Sequence, residues 1–325
     1  MTSTVMAGRP FAGNVCLVTG ASRGIGKGIA LQLGDAGATV YITGRSLDPK
    51  GKGKPGSLRD TADEIEGRGG KCIPVQCDHG DDEQVKLLFE KISKEQNGRL
   101  DILVNNAYSA ISELLKTTGK TFWELPVSMW DTINRVGLRG HYVATWHAAQ
   151  MMVPAKHGLI VNISSPGGLI YIFNAPYGVG KIGCDRMAVD CGLELKKHNV
   201  AMLSLWPGPV KTETLLGTWT AENRTDLERD SYEYTMKYGE STEYSGKAVV
   251  HLAKDPQIMT KTGRIFITAE VGYEYGFRDI DGKTPASLRQ AKTLFLWTGH
   301  PWLAALTPPF VKFPYWLLAL GGNHF

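Results

Sequence analysis

Hydrophobic residues of this chain occur in short, almost uninterrupted apolar runs that alternate with longer amphipathic segments between Asn14 and about Thr268. Such runs are typical of parallel strands covered on both faces, and the helix-periodic segments between them predict repeated βαβ units. We therefore expect an α/β protein with a Rossmann-like, doubly wound parallel sheet of about seven strands. The predicted strands are Val15–Thr19, Thr39–Thr43, Lys71–Gln76, Ile102–Asn105, Leu159–Ser164, Ala201–Trp206 and Arg264–Thr268.

Two stretches fall outside this alternation. The run Asp48–Gly56 is rich in Gly, Lys and Pro, which predicts an exposed loop after the second strand. From about Gly282 the chain becomes apolar, and Thr293–Leu320 carries Lys312 as its single full charge. We therefore predict one catalytic domain over residues 1–281, followed by an apolar C-terminal extension over residues 282–325.

Charge and cysteine content exclude several classes of partner. The net charge of +4, from 36 basic and 32 acidic residues, is too small to indicate a nucleic-acid partner. The five cysteines form no C-x-x-C pair, so we expect no metal site and no disulfide scaffold, and a reducing compartment is favoured. Met1–Ala12 contains no apolar core of signal-peptide length. These features predict a protein on the cytosolic side.

The first predicted strand continues into a glycine-rich turn, Thr19–Gly26, and then into a helical segment. Glycines permit the tight turn and leave no Cβ between the backbone and a phosphate, while the helix amino end supplies free N–H groups and a positive dipole. This pattern predicts a dinucleotide site. Its candidate contacts are Gly20, Ser22, Arg23, Gly24, Ile25 and Gly26.

The end of the second strand indicates which dinucleotide binds. NAD enzymes usually carry an acidic residue there to bind the ribose hydroxyls, whereas this strand ends at Gly44 and Arg45 without a carboxylate. Guanidinium groups are favoured partners of phosphate. Arg45 and Arg23 therefore predict NADP(H) in preference to NAD(H).

Tyr177 and Lys181 lie four residues apart, on one face of a predicted helix. A nearby ammonium favours the phenolate of a tyrosine and so makes the phenol a usable acid or base. A hydroxyl at the end of the preceding strand would hold a substrate oxygen. Ser164 and Ser165 are both candidates for that hydroxyl.

The T-G-x-x-x-G-x-G spacing and the Tyr177/Lys181 pair resemble the short-chain dehydrogenase/reductase family over about residues 14–270. The resemblance implies that Ser165, Tyr177 and Lys181 are catalytic, with Tyr177 and Lys181 also contacting the cofactor. It further implies homo-oligomers and additional cofactor contacts from Asp78, Asn105, Ala107, Pro207, Val210 and Thr212.

Two positions depart from the family pattern. Tyr108 stands where an N-N-A-G stretch has its glycine, and Gly137 stands where a V-N-x-x-G stretch has its asparagine. The nearest asparagine, Asn134, is displaced by about 60° around a helix with ~100° per residue. We expect the Gly137 carbonyl to serve in place of the asparagine by holding a water near Lys181, and Gly137→Asn to fold and stay active.

Aromatic residues around the predicted site favour a roomy pocket. Its substrate would be a small molecule, namely a bulky apolar carbonyl compound. These residues are Tyr108, Trp123, Tyr171, Trp219, Tyr232, Tyr234 and Tyr238. Other runs resemble one branch of the family, which is associated with NADPH-dependent reduction of steroid, prostaglandin-like and xenobiotic carbonyls at endoplasmic reticulum membranes. The expected activity is an NADPH-dependent carbonyl reductase or alcohol dehydrogenase with Tyr177 as the proton donor. Two alternatives remain: a C=C (enoyl) reductase, and a cofactor-binding scaffold without turnover.

The apolar extension is interrupted by Pro301, Pro308, Pro309 and Pro314. A spanning helix needs ~20 unbroken apolar residues, so we expect no crossing of a bilayer. Trp297, Trp302 and Trp316 suit the membrane–water boundary. Residues 293–320 therefore predict peripheral contact with a membrane, and the resemblance implies that this is the cytosolic face of the endoplasmic reticulum membrane. The alternatives are a cytoplasmic protein whose extension packs on its own domain or in an oligomer interface.

Overall fold

The computed structural model describes residues 8–48, 56–218, 226–297, 300–308 and 310–321. Its strands are β1 (Val15–Val18), β2 (Thr39–Gly44), β3 (Lys71–Gln76), β4 (Ile102–Asn105), β5 (Gly158–Ile163), β6 (Val200–Trp206) and β7 (Ile265–Ile267). They form one seven-stranded sheet in the order β3-β2-β1-β4-β5-β6-β7, and every neighbouring pair is parallel. The predicted fold class is confirmed, with strand ends within one residue or two of those expected.

Helices connect and flank the strands, as the amphipathic segments predict. They are α1 (Gly24–Asp35), α2 (Leu58–Gly67), α3 (Asp82–Glu95), α4 (Ile111–Lys116), α5 (Met129–Asn134), α6 (His141–Ala155), α7 (Ala175–Lys196), α8 (Glu213–Thr218), α9 (Asp226–Tyr238), α10 (Thr242–Lys254), α11 (Ile258–Lys261), α12 (Thr268–Tyr275), α13 (Ala291–Trp297), α14 (Pro301–Leu306) and α15 (Tyr315–Gly321). One turn of π-helix, Arg135–Gly140, joins α5 to α6.

The two faces of the sheet bury separate hydrophobic cores. Alternate residues of β1 show this directly, because Cys16 and Val18 belong to one core while Val15 and Leu17 belong to the other. Helices α1, α2 and α10 cover the first face, and α3, α6 and α7 cover the second. This two-sided burial explains why the strand sequences are apolar at almost every position.

The order of the strands reverses between β1 and β4, so the loops that follow these two strands diverge and leave a crevice at their carboxyl ends. The Thr19 hydroxyl joins the two strand ends, because its Oγ1 accepts hydrogen bonds from the backbone N–H groups of Asn106, at 2.9 Å, and Ala107, at 3.0 Å. The glycine-rich turn and the loop after β4 therefore form the walls of one crevice.

The C-terminal extension is attached to the domain through polar contacts around Glu270 on α12. Arg289 and Lys312 form ion pairs with this carboxylate at 3.0 and 2.9 Å, and Lys312 Nζ lies 3.6 Å from the centroid of the Tyr273 ring. Among the helices of the described residues, none combines the length and apolar character that crossing a bilayer requires. Most of the predicted loop Asp48–Gly56, namely residues 49–55, lies outside the described residues.

Candidate active site

The turn after β1 leaves no room for side chains at its glycines. Gly20 has a φ of +67°, and a Cβ added there would lie 2.7 Å from the Ala107 Cα. At Gly26 an added Cβ would overlap the Asn106 side-chain amide. Glycine is therefore required both by the backbone conformation and by the close approach of the β4 loop.

The amino end of α1 already holds an anionic group. The Gly24 N–H donates a 2.8 Å hydrogen bond to the Glu213 carboxylate at the start of α8. A carboxylate at this place meets the same free N–H group and helix dipole that a phosphate would. This contact supports the phosphate site predicted from the glycine turn, although the sequence offered no signal for Glu213 itself.

A cavity of about 650 Å³ extends from this turn along the carboxyl ends of β1, β2 and β4. Within the described part of the chain, neither Arg23 nor Arg45 forms an ion pair with an acidic residue, so both guanidinium groups are available to a ligand. Among the predicted cofactor contacts, the cavity is lined by Gly20, Ser22, Arg23, Gly24, Ile25, Gly26, Arg45, Asp78, Ala107 and Thr212.

Asn105, one of the predicted cofactor contacts, does not line this cavity. Its amide is buried and donates 2.9 Å hydrogen bonds to Thr145 Oγ1 and Asn162 Oδ1, so it ties β4 to β5 and α6. The next residue, Asn106, lines the cavity and donates to the Thr19 and Gly20 carbonyls. Because side chains alternate along a strand, a shift of one residue exchanges the buried face for the open one.

Pro207 and Val210 also do not line this cavity. Glu240 instead supports the turn that contains them, because it pairs with Val210 in a parallel β-bridge. The fully buried Glu240 carboxyl also accepts hydrogen bonds from the hydroxyls of Thr268, at 2.6 Å, and Ser245, at 2.9 Å. Burial raises the pKa of Glu240 to about 7. This supporting residue had no signal in the sequence, since an isolated glutamate is ordinarily a surface residue.

Tyr177 and Lys181 lie together at the carboxyl end of β5, on the first turns of α7. Asn174 caps this helix by accepting a 3.0 Å hydrogen bond from the Tyr177 N–H. Lys181 is buried, donates from Nζ to the Ile163 carbonyl at 3.1 Å, and lies 5.9 Å from the centroid of the Tyr177 ring. The predicted pair is thus fixed side by side, with the ammonium hydrogen-bonded to the end of the strand.

The two serines at the end of β5 have different surroundings. Ser164 is buried and donates to the Lys181 carbonyl at 3.1 Å, so it is part of the helix support. Ser165 accepts a 3.1 Å hydrogen bond from the Gly167 N–H. A Cβ on Gly167 would lie 2.5 Å from the Tyr177 ring and 3.4 Å from Ser165 Oγ, so both groups lie beside this glycine. The arrangement supports Ser165 as the substrate-facing hydroxyl.

Asp185, one helical turn after Lys181, is a buried acid that the sequence analysis missed. Both of its carboxylate oxygens accept from the Trp206 indole N–H at 3.1 Å. Burial is the main cause that raises the pKa of Asp185 to about 6, and the nearby Lys181 charge opposes that rise. The acid connects α7 to β6 one helical turn beyond Lys181.

The helix that lacks the family's asparagine is not straight here. The π-helical turn Arg135–Gly140 contains Gly137, and such turns often mark functional sites. The Gly137 carbonyl accepts a hydrogen bond from Cys184 Sγ at 3.2 Å. Asn134 instead donates to the Pro176 carbonyl at 3.2 Å and packs against Gly180 on α7.

The structure contradicts our expectation that Gly137→Asn alone is tolerated. A Cβ at Gly137 would lie 2.6 and 2.7 Å from Cδ2 and Cε2 of Tyr108. Real Cβ atoms do not approach other atoms so closely, and buried rings in a packed interior move only at a cost. Tyr108 therefore has to move before any side chain fits at Gly137.

The aromatic residues expected around the substrate do not form a single wall. Tyr108 packs beside Tyr177, with 6.3 Å between the ring centroids, whereas Trp123 and Tyr171 are 72% and 76% exposed. Tyr234 and Tyr238 line a separate cavity of about 550 Å³ near the extension. Trp219 lies outside the described residues. The apolar groups next to Tyr177 are instead Tyr108, Ala110, Leu114, Leu125, Met129, Ile133, Ile172 and Phe173.

Sequence comparison finds full-length relatives. The family described as short chain dehydrogenase matches residues 14–223. The Homo sapiens protein Dehydrogenase/reductase SDR family member 1 is 49% identical over 318 residues, which are 97% of this chain and 99% of that protein. The Mus musculus protein of the same name is 49% identical over 323 residues, again 97% and 99% of the two chains.

Solved structures show the same architecture. A short chain dehydrogenase from Mycobacterium thermoresistibile has a TM-score of 0.68 at 25% identity, over 85% of this chain and 92% of that one. A metagenomic short-chain oxidoreductase in complex with NADP has a TM-score of 0.58 at 27% identity, over 76% and 93%. A variant of actinorhodin polyketide ketoreductase with NADPH has a TM-score of 0.65 at 26% identity, over 78% and 95%.

Proposed function

The chain belongs to the short-chain dehydrogenase/reductase family of oxidoreductases, and on that premise we propose that it reduces bulky apolar carbonyl compounds with NADPH. The observation that carries this proposal is the buried Tyr177/Lys181 pair at the carboxyl end of β5, on the same sheet edge as the cavity below the glycine turn. Two structurally similar proteins were solved with NADP or NADPH.

The cavity fits a phosphorylated dinucleotide. The Glu213 carboxylate at the Gly24 N–H, at the end of the glycine turn, acts as a stand-in for a phosphate. Arg23 and Arg45 at the cavity wall supply charges for a 2′-phosphate. Asp78 is available to the adenine end, and Thr212 to the carboxamide end. NADPH, when bound, supplies the hydride.

In the proposed reduction, Tyr177 donates the proton that neutralises the developing alkoxide on the substrate oxygen. Ser165 donates a hydrogen bond to the same oxygen and fixes its position. Lys181 stabilises the phenolate that remains on Tyr177, because a positive charge beside an anion in a buried site is little screened by water. In the reverse direction the phenolate accepts the proton of an alcohol.

The apolar groups beside Tyr177 support a hydrophobic substrate. The buried residues Ala110, Leu114, Met129 and Ile133 belong to the same hydrophobic cluster as Tyr177, so the surroundings of the proposed proton donor are largely apolar. Such surroundings favour steroid-like or other bulky ketones over small polar carbonyls, since each buried CH₂ of a ligand contributes ~0.8 kcal/mol.

We also propose that the extension lies on the cytosolic face of the endoplasmic reticulum membrane, which would bring the site close to lipid-dissolved substrates. The supporting observation is the exposed apolar character of the extension, where Trp302, Leu306, Phe310 and Trp316 are 61, 76, 79 and 63% exposed. Isolated exposed apolar residues are ordinary, but a cluster of them on one short segment marks a docking surface.

The decisive experiment is an NADPH-oxidation screen of the purified protein against ketones, quinones and enoyl compounds, with Tyr177→Phe in parallel. We expect turnover of apolar ketones, a loss of about 10³-fold or more in Tyr177→Phe, in line with removal of a general acid, and a nearly unchanged Kd for NADPH. The phenylalanine keeps the ring contacts, so the comparison isolates the proton donor.

Other outcomes separate the alternatives. Turnover of enoyl compounds that persists in Tyr177→Phe would identify a C=C reductase. Tight NADPH binding with no turnover of any carbonyl or enoyl compound would favour a cofactor-binding scaffold. A Tyr177→Phe variant that keeps most of its ketone turnover contradicts the proposed chemistry.

A further inference from the structure

Tyr108 occupies a place at the active site that the proposed reaction does not use. It directly follows Asn106 and Ala107, which line the proposed cofactor cavity, and it is itself one of the lining residues. Its ring stands edge-on to the Tyr177 ring at 6.3 Å between centroids. Tyr108 therefore lies between the cofactor cavity and the catalytic pair.

The face of the Tyr108 ring is presented to Lys181. The Lys181 Nζ lies 5.0 Å from the centroid of this ring, closer than its 5.9 Å from the Tyr177 ring. A cation within ~6 Å of an aromatic face is attracted by the ring quadrupole, and the attraction strengthens where water is excluded. Lys181 is buried, and its Nζ donates a hydrogen bond to the Ile163 carbonyl. The Tyr108 ring therefore supplies a further interaction that restricts where the ammonium lies.

Gly137 is the residue that admits the ring. Its missing Cβ leaves the space into which Cδ2 and Cε2 of Tyr108 fit, since a Cβ there would lie 2.6 and 2.7 Å from these atoms. Gly137 belongs to the π-helical turn packed against α7, the helix that carries Lys181. The tyrosine and the glycine are thus a matched pair: each has the size that the other requires.

The hydroxyl of Tyr108 does not contribute in the same way. Among the described residues it has no hydrogen-bond partner, although it is buried. Burial, together with Tyr177 and Cys184, raises the pKa of Tyr108, so the phenol stays neutral. A neutral hydroxyl without a partner gives no favourable contact to Lys181, whereas the ring face does.

We propose that the Tyr108 ring, seated against Gly137, is a positioning residue that holds the Lys181 ammonium in place for the cofactor and for Tyr177. This inference rests on the proposed NADPH binding and deepens it. It makes the ring essential and the hydroxyl dispensable, and it makes the size of residue 137 a determinant of Lys181 placement.

The test measures NADPH binding, by fluorescence titration, in Tyr108→Leu, Tyr108→Phe and Lys181→Ala and in their combinations. Tyr108→Leu should weaken binding about 3- to 10-fold, the range expected for one cation–π contact. Tyr108→Phe, which keeps the ring, should remain within about twofold of the parent by the same argument. In the Lys181→Ala background the two substitutions should bind NADPH equally.

A separate arm moves the ring without removing it. Gly137→Ala should weaken NADPH binding and lower the Tm, because its methyl group displaces Tyr108. Combining it with Tyr108→Leu should recover the Tm. This arm also covers the case in which Tyr108→Leu fails to fold. Tyr142→Leu, a half-exposed tyrosine on α6, is the matched control and should change neither quantity.

Two results would overturn the proposal: equal binding by Tyr108→Leu and Tyr108→Phe with Lys181 present, or a difference between them of the same size when Lys181 is alanine. Either would leave Tyr108 as a structural residue only. Since the readout is binding, a chain that binds NADPH and reduces no ketone still decides this question. A chain that binds no NADPH refutes the proposed function first.

Discussion

The carboxyl edge of the sheet and the C-terminal extension invert the usual relation between polarity and burial. Near the ends of β5, β6 and β7 ionisable side chains are buried, among them Lys181, Asp185 and Glu240, while the extension exposes large apolar ones such as Phe310 and Trp316. A buried ionisable group is stable only with hydrogen-bonding partners. An exposed apolar cluster destabilises the folded chain little, and covering it with another apolar phase lowers the free energy. The first region is thus complete within the chain, whereas the second is suited to an external partner.

The contacts in each region agree with this difference. At the carboxyl edge of the sheet, Asp185 accepts from the Trp206 indole, and Glu240 accepts from two hydroxyls. In the extension, Arg289 and Lys312 form ion pairs with Glu270 on α12, while large apolar side chains such as Phe310 and Trp316 remain exposed. Polar groups therefore determine where the extension is attached but leave its outer surface uncovered.

The largest expected effect concerns the preference for NADPH over NADH. Arg45→Asp removes a cation and adds an anion at the cavity wall. The affinity for NADPH should therefore fall and the affinity for NADH should rise, a change of ~2–4 kcal/mol in their relative binding free energy. Isothermal titration of both cofactors measures the swing. Arg264→Asp, the same change at an exposed residue directly before β7, is the control and should leave the preference unaltered. Equal affinities of the parent for the two cofactors would refute the role of Arg45.

Glu240 predicts a pH effect on stability. Its pKa is raised to about 7 from 4.5 by burial, so between these values the folded chain holds a proton that the unfolded chain has released. The Glu240 contribution to the free energy of unfolding must therefore fall as pH rises through this window, by on the order of 3 kcal/mol at ~1.4 per pKa unit, and stay constant above it.

Urea unfolding of the parent and Glu240→Gln at pH 5, 6, 7 and 8 measures this contribution as the difference between the two proteins. The buried histidines His79 and His141 are present in both proteins, so their contributions to the free energy of unfolding cancel in the difference. A difference that is independent of pH would show that Glu240 is ionised in the folded chain throughout.

For the extension, Trp302→Ser and Phe310→Ser should each weaken binding to phosphatidylcholine vesicles by about tenfold, because each removes apolar area of the order of one buried side chain. Point substitutions are preferable to truncation, since removal of Arg289 and Lys312 would leave Glu270 without its ion pairs. Val127→Ser, which changes a 92% exposed residue outside the extension, is the matched control. Equal vesicle binding by all these proteins would refute the membrane proposal.

The smallest expected effect concerns the anion at the start of α1. Glu213 competes with a phosphate for the Gly24 N–H, so Glu213→Gln should tighten NADPH binding by about fivefold, corresponding to ~1 kcal/mol of helix-terminus interaction. Glu90→Gln, an exposed acid on α3, makes the same charge change elsewhere. Weaker binding by Glu213→Gln would indicate that this carboxylate assists the cofactor.

Sequence patterns predicted features that depend on neighbouring residues. The apolar runs predicted all seven strands, because a strand that is buried on both faces has apolar residues at consecutive positions. The Tyr177/Lys181 spacing predicted a shared helix face, because helical geometry relates residues four apart without reference to the rest of the chain. Asn105 shows the limit of such patterns: the motif located the loop, but the sheet decided that Asn105 faces inward and Asn106 faces the cavity.

By itself, then, the sequence determined the fold, the glycine turn and the helix that carries Tyr177 and Lys181, since each depends on local periodicity or backbone freedom. Only the tertiary structure decided that Glu240 supports the Pro207–Thr212 turn, that Glu213 caps α1, and that Tyr108 fills the space beside Gly137. Each of these contacts joins residues far apart in the chain or depends on the volume between two elements. Neither a contact between distant residues nor the volume between two elements produces a repeating pattern in the amino-acid sequence.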